Sequence, residues 1–176
     1  MYISSHISAG YIAGKLSGSR GLIMAAWLAG SLLPDIDGLW SNSVAGHHSF
    51  PHTPLFWFAV CAIAFVYGKV SGLRFISQVS VVLFLSTMIH LTTDWATART
   101  VGIKWLSPLS DTDFSMLAIE PARGDIPIQD MLSSKYIYFY FENKFLAISE
   151  LLLNFLALAI LVKDFFVKRF KVRNSK

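Results

Sequence analysis

The chain has 176 residues, 54% of them hydrophobic and 14% aromatic, with a formal charge of +4 and a mean hydropathy of +0.53. That length suits one domain, and the composition exceeds what a soluble domain of this size carries, so a membrane setting is expected. The single Cys61 excludes a disulfide framework and a thiolate metal cluster. Six of the fifteen basic residues crowd Lys163–Lys176 directly after an apolar run, which points to anionic lipid rather than nucleic acid as the partner of that charge.

In chain order, Ile3–Leu16 is a small, mostly apolar segment carrying His6, with glycines at 10, 14 and 18 whose spacing lets helix backbones approach closely. Lys15 and Arg20 bracket a turn before Gly21–Leu33, a second apolar run that stops at Pro34. A third run covers Leu55–Val70, and after a turn with Gly72 and Arg74 a fourth extends over Phe75–Leu91. The last, Phe145–Val162, precedes the basic tail. This pattern predicts an all-α, membrane-embedded bundle of about five helices, with a long connection, Ala96–Lys144, between the fourth and fifth. Residues 1–162 make the single domain and 163–176 the tail. The early runs fall short of the roughly twenty apolar residues that cross a hydrocarbon core unaided, so they are expected to be tilted or short membrane helices. A very apolar soluble bundle is the competing architecture. Cleavage of the N-terminal segment as a signal peptide would discard His6.

Between the second and third runs lies GSLLPDIDGLWSNSVAGHHSFPHTP, Gly30–Pro54, where two aspartates and three histidines crowd one short polar stretch. Asp35 and Asp37 are separated by one residue, and His47 and His52 lie five apart with His48 beside the first. Carboxylate oxygens and neutral imidazole nitrogens are the donors that hold Zn, Mn or Fe, and several of both suit more than one ion. The plainer alternative makes one aspartate a helix cap and the histidines loop residues. His90 and Asp94, one helical turn apart, project from one face and can reach a single ion or a bridged pair. A local hydrogen-bonded pair is the alternative, although ionisable groups this close to an apolar helix are costly unless paired or coordinated. Glu150 and Asn154, also four apart, are expected to face the bundle interior as a structural polar pair or as partners that orient ligands.

Lys15 with Arg20, Lys69 with Arg74, and the tail fall at every second connection and hold ten of the fifteen basic residues, so those ends are expected in the cytoplasm. Alternation of five segments then brings His6, the Asp/His stretch, and His90 with Asp94 to the opposite face. Within the long connection, Asp111, Asp113, Arg123 and Asp125 are expected as solvated charges. Trp105 and Phe114 suit either an acyl chain or an interfacial aromatic belt.

His6, the LLPDID of Leu32–Asp37, the GHHSFPHT of Gly46–Thr53 and the IHLTTD of Ile89–Asp94 together resemble the signature of YdjM-type inner-membrane metal-dependent hydrolases. VGIKWLSPLSDTDFS, Val101–Ser115, is similar to the segment that follows in that family, and the likeness covers about two thirds of the chain. That family is in turn similar to the zinc-dependent phospholipase C and single-strand nuclease group, all-helical proteins that hydrolyse phosphoesters with clustered metals. The resemblance implies metal ligands at His6, Asp35, Asp37, His47, His52, His90 and Asp94, and two or three divalent transition metal ions, Zn foremost. In the family's second block, usually His-Arg-Gly-x-Thr-His-Ser, His48, Ser49, Pro51 and Thr53 replace the arginine, glycine, threonine and serine. The missing guanidinium would have suited a phosphate oxygen in two-point contact, and His48 is the candidate substitute.

The expected activity is hydrolysis of a phosphoester, free or lipid-linked, at the outer face of a bacterial inner membrane. The ions would lower the pKa of a water and offset charge on the substrate, with Asp35 or Asp37 as general base. The expected partners are membrane lipid and the phosphoester itself, with no nucleic acid. The alternative is a membrane protein that binds or transports metal without hydrolysis, which would need donors staged at different depths.

Overall fold

The structure, a computed structural model, describes residues 1–174, with side chains described as far as Val167. Apart from one antiparallel bridge between Ile103 and Phe114, all regular structure among the described residues is helical. Six α-helices follow one another: α1 (Ile3–Leu16), α2 (Gly21–Gly30), α3 (Pro54–Val70), α4 (Arg74–Thr97), α5 (Ser134–Phe141) and α6 (Lys144–Asn174). A seven-residue 3-10 helix, Leu33–Leu39, continues the line of α2 after a 50° bend.

The all-α expectation therefore holds, but the count of five helices does not. Two short elements explain the excess. The second apolar run breaks at Gly30, and its remainder winds into the 3-10 helix, whose first turn contains Pro34. The other, α5, lies inside the long connection, where eight residues are too few for a helical repeat to show in the sequence. It starts at Ser133, whose hydroxyl accepts from the Tyr136 amide at 3.3 Å, and it buries Tyr136, Phe139 and Tyr140. The last helix also runs past Val162 into the basic tail, of which Lys168–Lys176 lie outside the described side chains.

Helix α4 is the hub, packing against α1, α2 and α3, while α6 lies along α1. Glycine makes the close approach of α2 to α4 possible. A Cβ on Gly30 would stand 2.6 Å from Ser86 Cβ and 2.8 Å from the Leu83 carbonyl oxygen. Gly10 plays the same part between α1 and α2, whereas Gly18 instead ends α1 with φ at +69° and nothing near it. Polar groups clasp α6 to the amino end: Glu150 accepts from the Tyr2 amide (3.1 Å), the Tyr140 hydroxyl (3.0 Å) and Ser5, and Asn154 bonds Ser5 and Ser8. Buried in this way, the Glu150 carboxylate has partners for the charge it brings among apolar neighbours.

Two helices are long and apolar enough to cross a membrane, Arg74–Thr97 and Lys144–Val167, and the bent pair Gly21–Gly30 with Leu33–Leu39 would make a third if it counts as one span. Only 17% of the α6 window is buried inside the protein at a mean hydropathy of 2.4. Side chains such as Leu151, Phe155 and Phe165 thus need a second apolar phase, which lipid supplies.

Candidate metal centre

The donors reach the site from four stretches of the chain. His6 sits in the first turns of α1, Asp35 and Asp37 in the 3-10 helix, His47, His48 and His52 in the following loop, and His90 and Asp94 near the end of α4. The loop is pinned on both sides. Trp57 Nε1 donates to the Pro51 carbonyl at 2.6 Å, and the Val44 amide donates to Ile126 in the long connection at 3.0 Å. With α1, α2 and α4 in mutual contact, residues as far apart in sequence as His6 and Asp94 meet.

All five histidines of the chain have Nδ1 set against an oxygen. Asp37 receives Nδ1–H of His47 at 2.7 Å and of His52 at 2.8 Å. The Ser31 carbonyl receives His90 (2.9 Å), the Gly102 carbonyl receives His48 (3.1 Å), and the Thr93 hydroxyl, which itself donates to the His90 carbonyl, receives His6 (3.3 Å). A neutral imidazole that donates through Nδ1 carries a bare lone pair on Nε2, and such outer partners fix both tautomer and ring orientation.

Those lone pairs converge. Asp35 Oδ1 lies 3.3, 3.6 and 3.5 Å from Nε2 of His47, His52 and His90. Asp94 places Oδ2 2.9 Å from His90 Nε2 and Oδ1 3.0 Å from His6 Nε2. His52 Nε2 and His90 Nε2 are only 3.3 Å apart. With the imidazoles neutral, acceptor faces acceptor, and His6 Nε2, Asp35 Oδ2 and Asp94 Oδ2 are buried without a hydrogen bond. Burying such groups unpaired is costly, and a cation among them removes the conflict. By donor chemistry the residues fit a metal ion in two groups, His6, Asp35, His90 and Asp94 in one and His47, His48 and His52 in the other, each with ligand atoms within 4.8 Å of one another. Asp37, expected among the ligands, is in neither group; its oxygens accept four hydrogen bonds, two from imidazoles and two from Ser49.

A sequence model of the YdjM inner membrane protein family matches residues 1–167. The chain belongs to that family. No match was found among curated proteins or solved structures.

In this YdjM-family chain the cluster is closed on most sides. Asp37, His52, His90, His6 and Asp94 are at most 2% exposed in their side chains, while Asp35 and His47 reach 13% and 14%, so these two are where the cluster meets solvent. Burial acts most strongly on His47 and His52 and favours their neutral forms, yet hydrogen bonds to Asp35 and Asp37 outweigh it. Both imidazoles are held above the usual range, His52 by the wider margin. His48 goes the other way: burial, reinforced by the charge of His52, pushes it well below that range.

Several participants carry no mark in the sequence. Ser31 and Gly102 act through backbone oxygens, which every residue has. The Met1 amine donates to Asp94 Oδ1 at 2.7 Å. Arg99, five residues after Asp94 and just past the end of α4, is 10% exposed, donates to Glu120 at 3.1 Å and lies 4.5 Å over the Phe139 ring. Its Nε is buried without a partner, and it lines a small cavity with His47, His48 and Asp94. From the sequence alone it is indistinguishable from the loop charges around it. Of those, Asp111, Asp113, Asp125 and Arg123 are all exposed as expected, and Arg123 also pairs with Glu120 at 2.9 Å and lies over Phe139. Trp105, half-buried, packs against the core of Trp57, Leu91 and Ile103.

Proposed function

We propose that the protein is a metal-dependent hydrolase of the inner membrane that cleaves a phosphoester, with the Nε2 atoms of His6, His47, His52 and His90 and the carboxylates of Asp35 and Asp94 holding two or three divalent ions, Zn foremost. The observation that carries this reading is the convergence of four bare imidazole nitrogens on two carboxylates. Ions held there would lower the pKa of a water and offset charge developing on the substrate. Asp37, with every lone pair direction spent on imidazole and Ser49 donors, orients His47 and His52. Asp35, at the open edge and with Oδ2 free, is the group placed to take the proton. Neutral His48 and the Arg99 guanidinium flank the small cavity where a phosphate oxygen would sit, so Arg99 fills the part of the arginine missing from the second block. The donors lie together rather than staged along a path, which suits hydrolysis better than transport.

Purified protein is expected to carry about two or more equivalents of transition metal, and His52→Ala combined with Asp94→Ala to lose them. Metal-loaded protein should then release phosphate or a phosphomonoester in a screen over phospholipids, phosphodiesters and lipid-linked phosphates. Unchanged metal content in the double variant refutes the site. Zinc uptake into proteoliposomes that His90→Ala abolishes, without any hydrolysis, would favour transport.

A further inference from the structure

Besides the small polar cavity at Arg99, a second and larger one also reaches His47. It has a volume of about 530 Å³ and runs between the 3-10 helix and the Ile128–Leu132 turn, and both Asp35 and His47 stand in its wall. Those are the two side chains at which the donor cluster meets solvent. Most of the remaining wall is apolar, Ile3, Leu39, Ile128, Met131 and Leu132, with Tyr2, Ser4, Gln129 and Met1, whose ammonium pairs with Asp94, completing it. Gly38 leaves the inner end wide, since a Cβ there would come within 3.8 Å of Ile128 and 4.0 Å of His47.

The mouth of this groove is as greasy as its wall. Leu39 is 84% exposed, Leu132 74% and Ile3 57%, and beside Leu39 Trp40 stacks on Phe50, both half exposed. Apolar side chains set at this exposure on the site-bearing end of a membrane protein lie against acyl chains rather than water. A largely apolar path therefore leads from the bilayer, over Leu39 and Leu132, to Asp35 and His47, and the Met1 ammonium in its wall is already paired with Asp94. Pockets of several hundred Å³ with apolar walls and a few convergent polar groups are built to bury an apolar ligand and hold its polar end.

We infer that this groove binds the alkyl chain of a membrane amphiphile whose phosphate sits at the donor cluster, so that the substrate enters sideways from the lipid rather than from water. The inference rests on the phosphoester reading for its polar end, and on the groove alone for its apolar one. A short-chain phosphoester would leave Leu39, Ile128 and Leu132 unused. A long-chain one covers them.

The test uses the full-length, zinc-loaded protein in nanodiscs with tetradecyl phosphate carrying a diazirine at its terminal carbon. On irradiation the label is expected on Leu39 and the Ile128–Leu132 turn, displaced by excess unlabelled tetradecyl phosphate but not by butyl phosphate. Leu132→Asp, at an exposed position, should cut that labelling at least roughly tenfold with zinc content unchanged. Label spread over the outward faces of α4 and α6, or equal displacement by butyl phosphate, overturns the groove while leaving the metal reading intact. Groove labelling in a protein that takes up no zinc overturns the metal reading and leaves the groove. Leu132→Cys dimers linked by disulfide in membranes would show a second copy covering the mouth and overturn the proposal.

Discussion

Asp37 shows how little a residue's type says about its task. It carries the same carboxylate as Asp35, two positions away, and faces the same histidines, yet it meets their Nδ1–H groups while Asp35 meets their Nε2 lone pairs. Asp37→Ala should therefore weaken metal binding by about 10–100-fold without removing a ligand, as loss of an orienting partner does, and competition with a chelator of known affinity would measure it. Proton competition gives a second expectation. In the metal-free protein His47 and His52 hold their protons to higher pH than a free imidazole, so metal must expel them. Apparent affinity should rise with pH from below the usual imidazole pKa to well above it, with protons released on binding; calorimetry in two buffers of different ionisation enthalpy would detect a pH-independent, proton-neutral uptake if that is wrong. The sequence displays donor types and the i, i+4 spacing of His90 and Asp94. It does not display which nitrogen each histidine turns inward, because that is set by carbonyl oxygens of Ser31 and Gly102, groups without a signature.

At the scale of elements, the site depends on α2 lying close enough to α4 for Ser31 to reach His90. Gly30→Ala would press its methyl group on Ser86 and the Leu83 carbonyl, and overpacking of that kind costs about 1–3 kcal/mol. A lower Tm in detergent together with weaker metal binding is expected; a variant as stable as the parent and with full affinity would show that the contact yields. Glu150→Ala leaves the Tyr140 hydroxyl and the Tyr2 amide without their acceptor, and faster proteolysis near Tyr2 would report the loosened α1 and α6. The long helices were legible because fifteen or more apolar residues with flanking glycines and basic residues leave few alternatives. α5 was not, since its tyrosines and phenylalanines fit a loop over the cluster equally well until Tyr136, Phe139 and Tyr140 are seen packed with Val44 and Leu146.

Over the whole molecule, charge and burial suggest one orientation. Lys15, Lys69 and Arg74 lie at the helix ends away from the donor cluster, and α6 presents most of its apolar surface outward. We propose that the basic ends face the cytoplasm and the metal centre the opposite side. A reporter fused after Lys176 should read cytoplasmic, and a cysteine introduced at Ser43, in the loop beside His47, should react with an impermeant maleimide from outside; the reverse labelling would invert the arrangement. Membrane residence could be seen in the composition. Whether the second apolar run spans could not be assigned, because a run that kinks part-way looks in sequence like one that is merely short.

That kink has a meaning for chemistry as well as for shape. In an unbroken α-helix the Ser31 oxygen would take the amide hydrogen four residues on, at Asp35; here the Asp35 amide turns to Leu32 at 3.0 Å, and Pro34 has no hydrogen to offer. One carbonyl is thereby spared, and His90 takes it. The discontinuity that shortens the would-be span is the same event that furnishes an anchor for an imidazole, so a variant with this segment straightened is expected to span a bilayer more readily and to hold His90 less firmly.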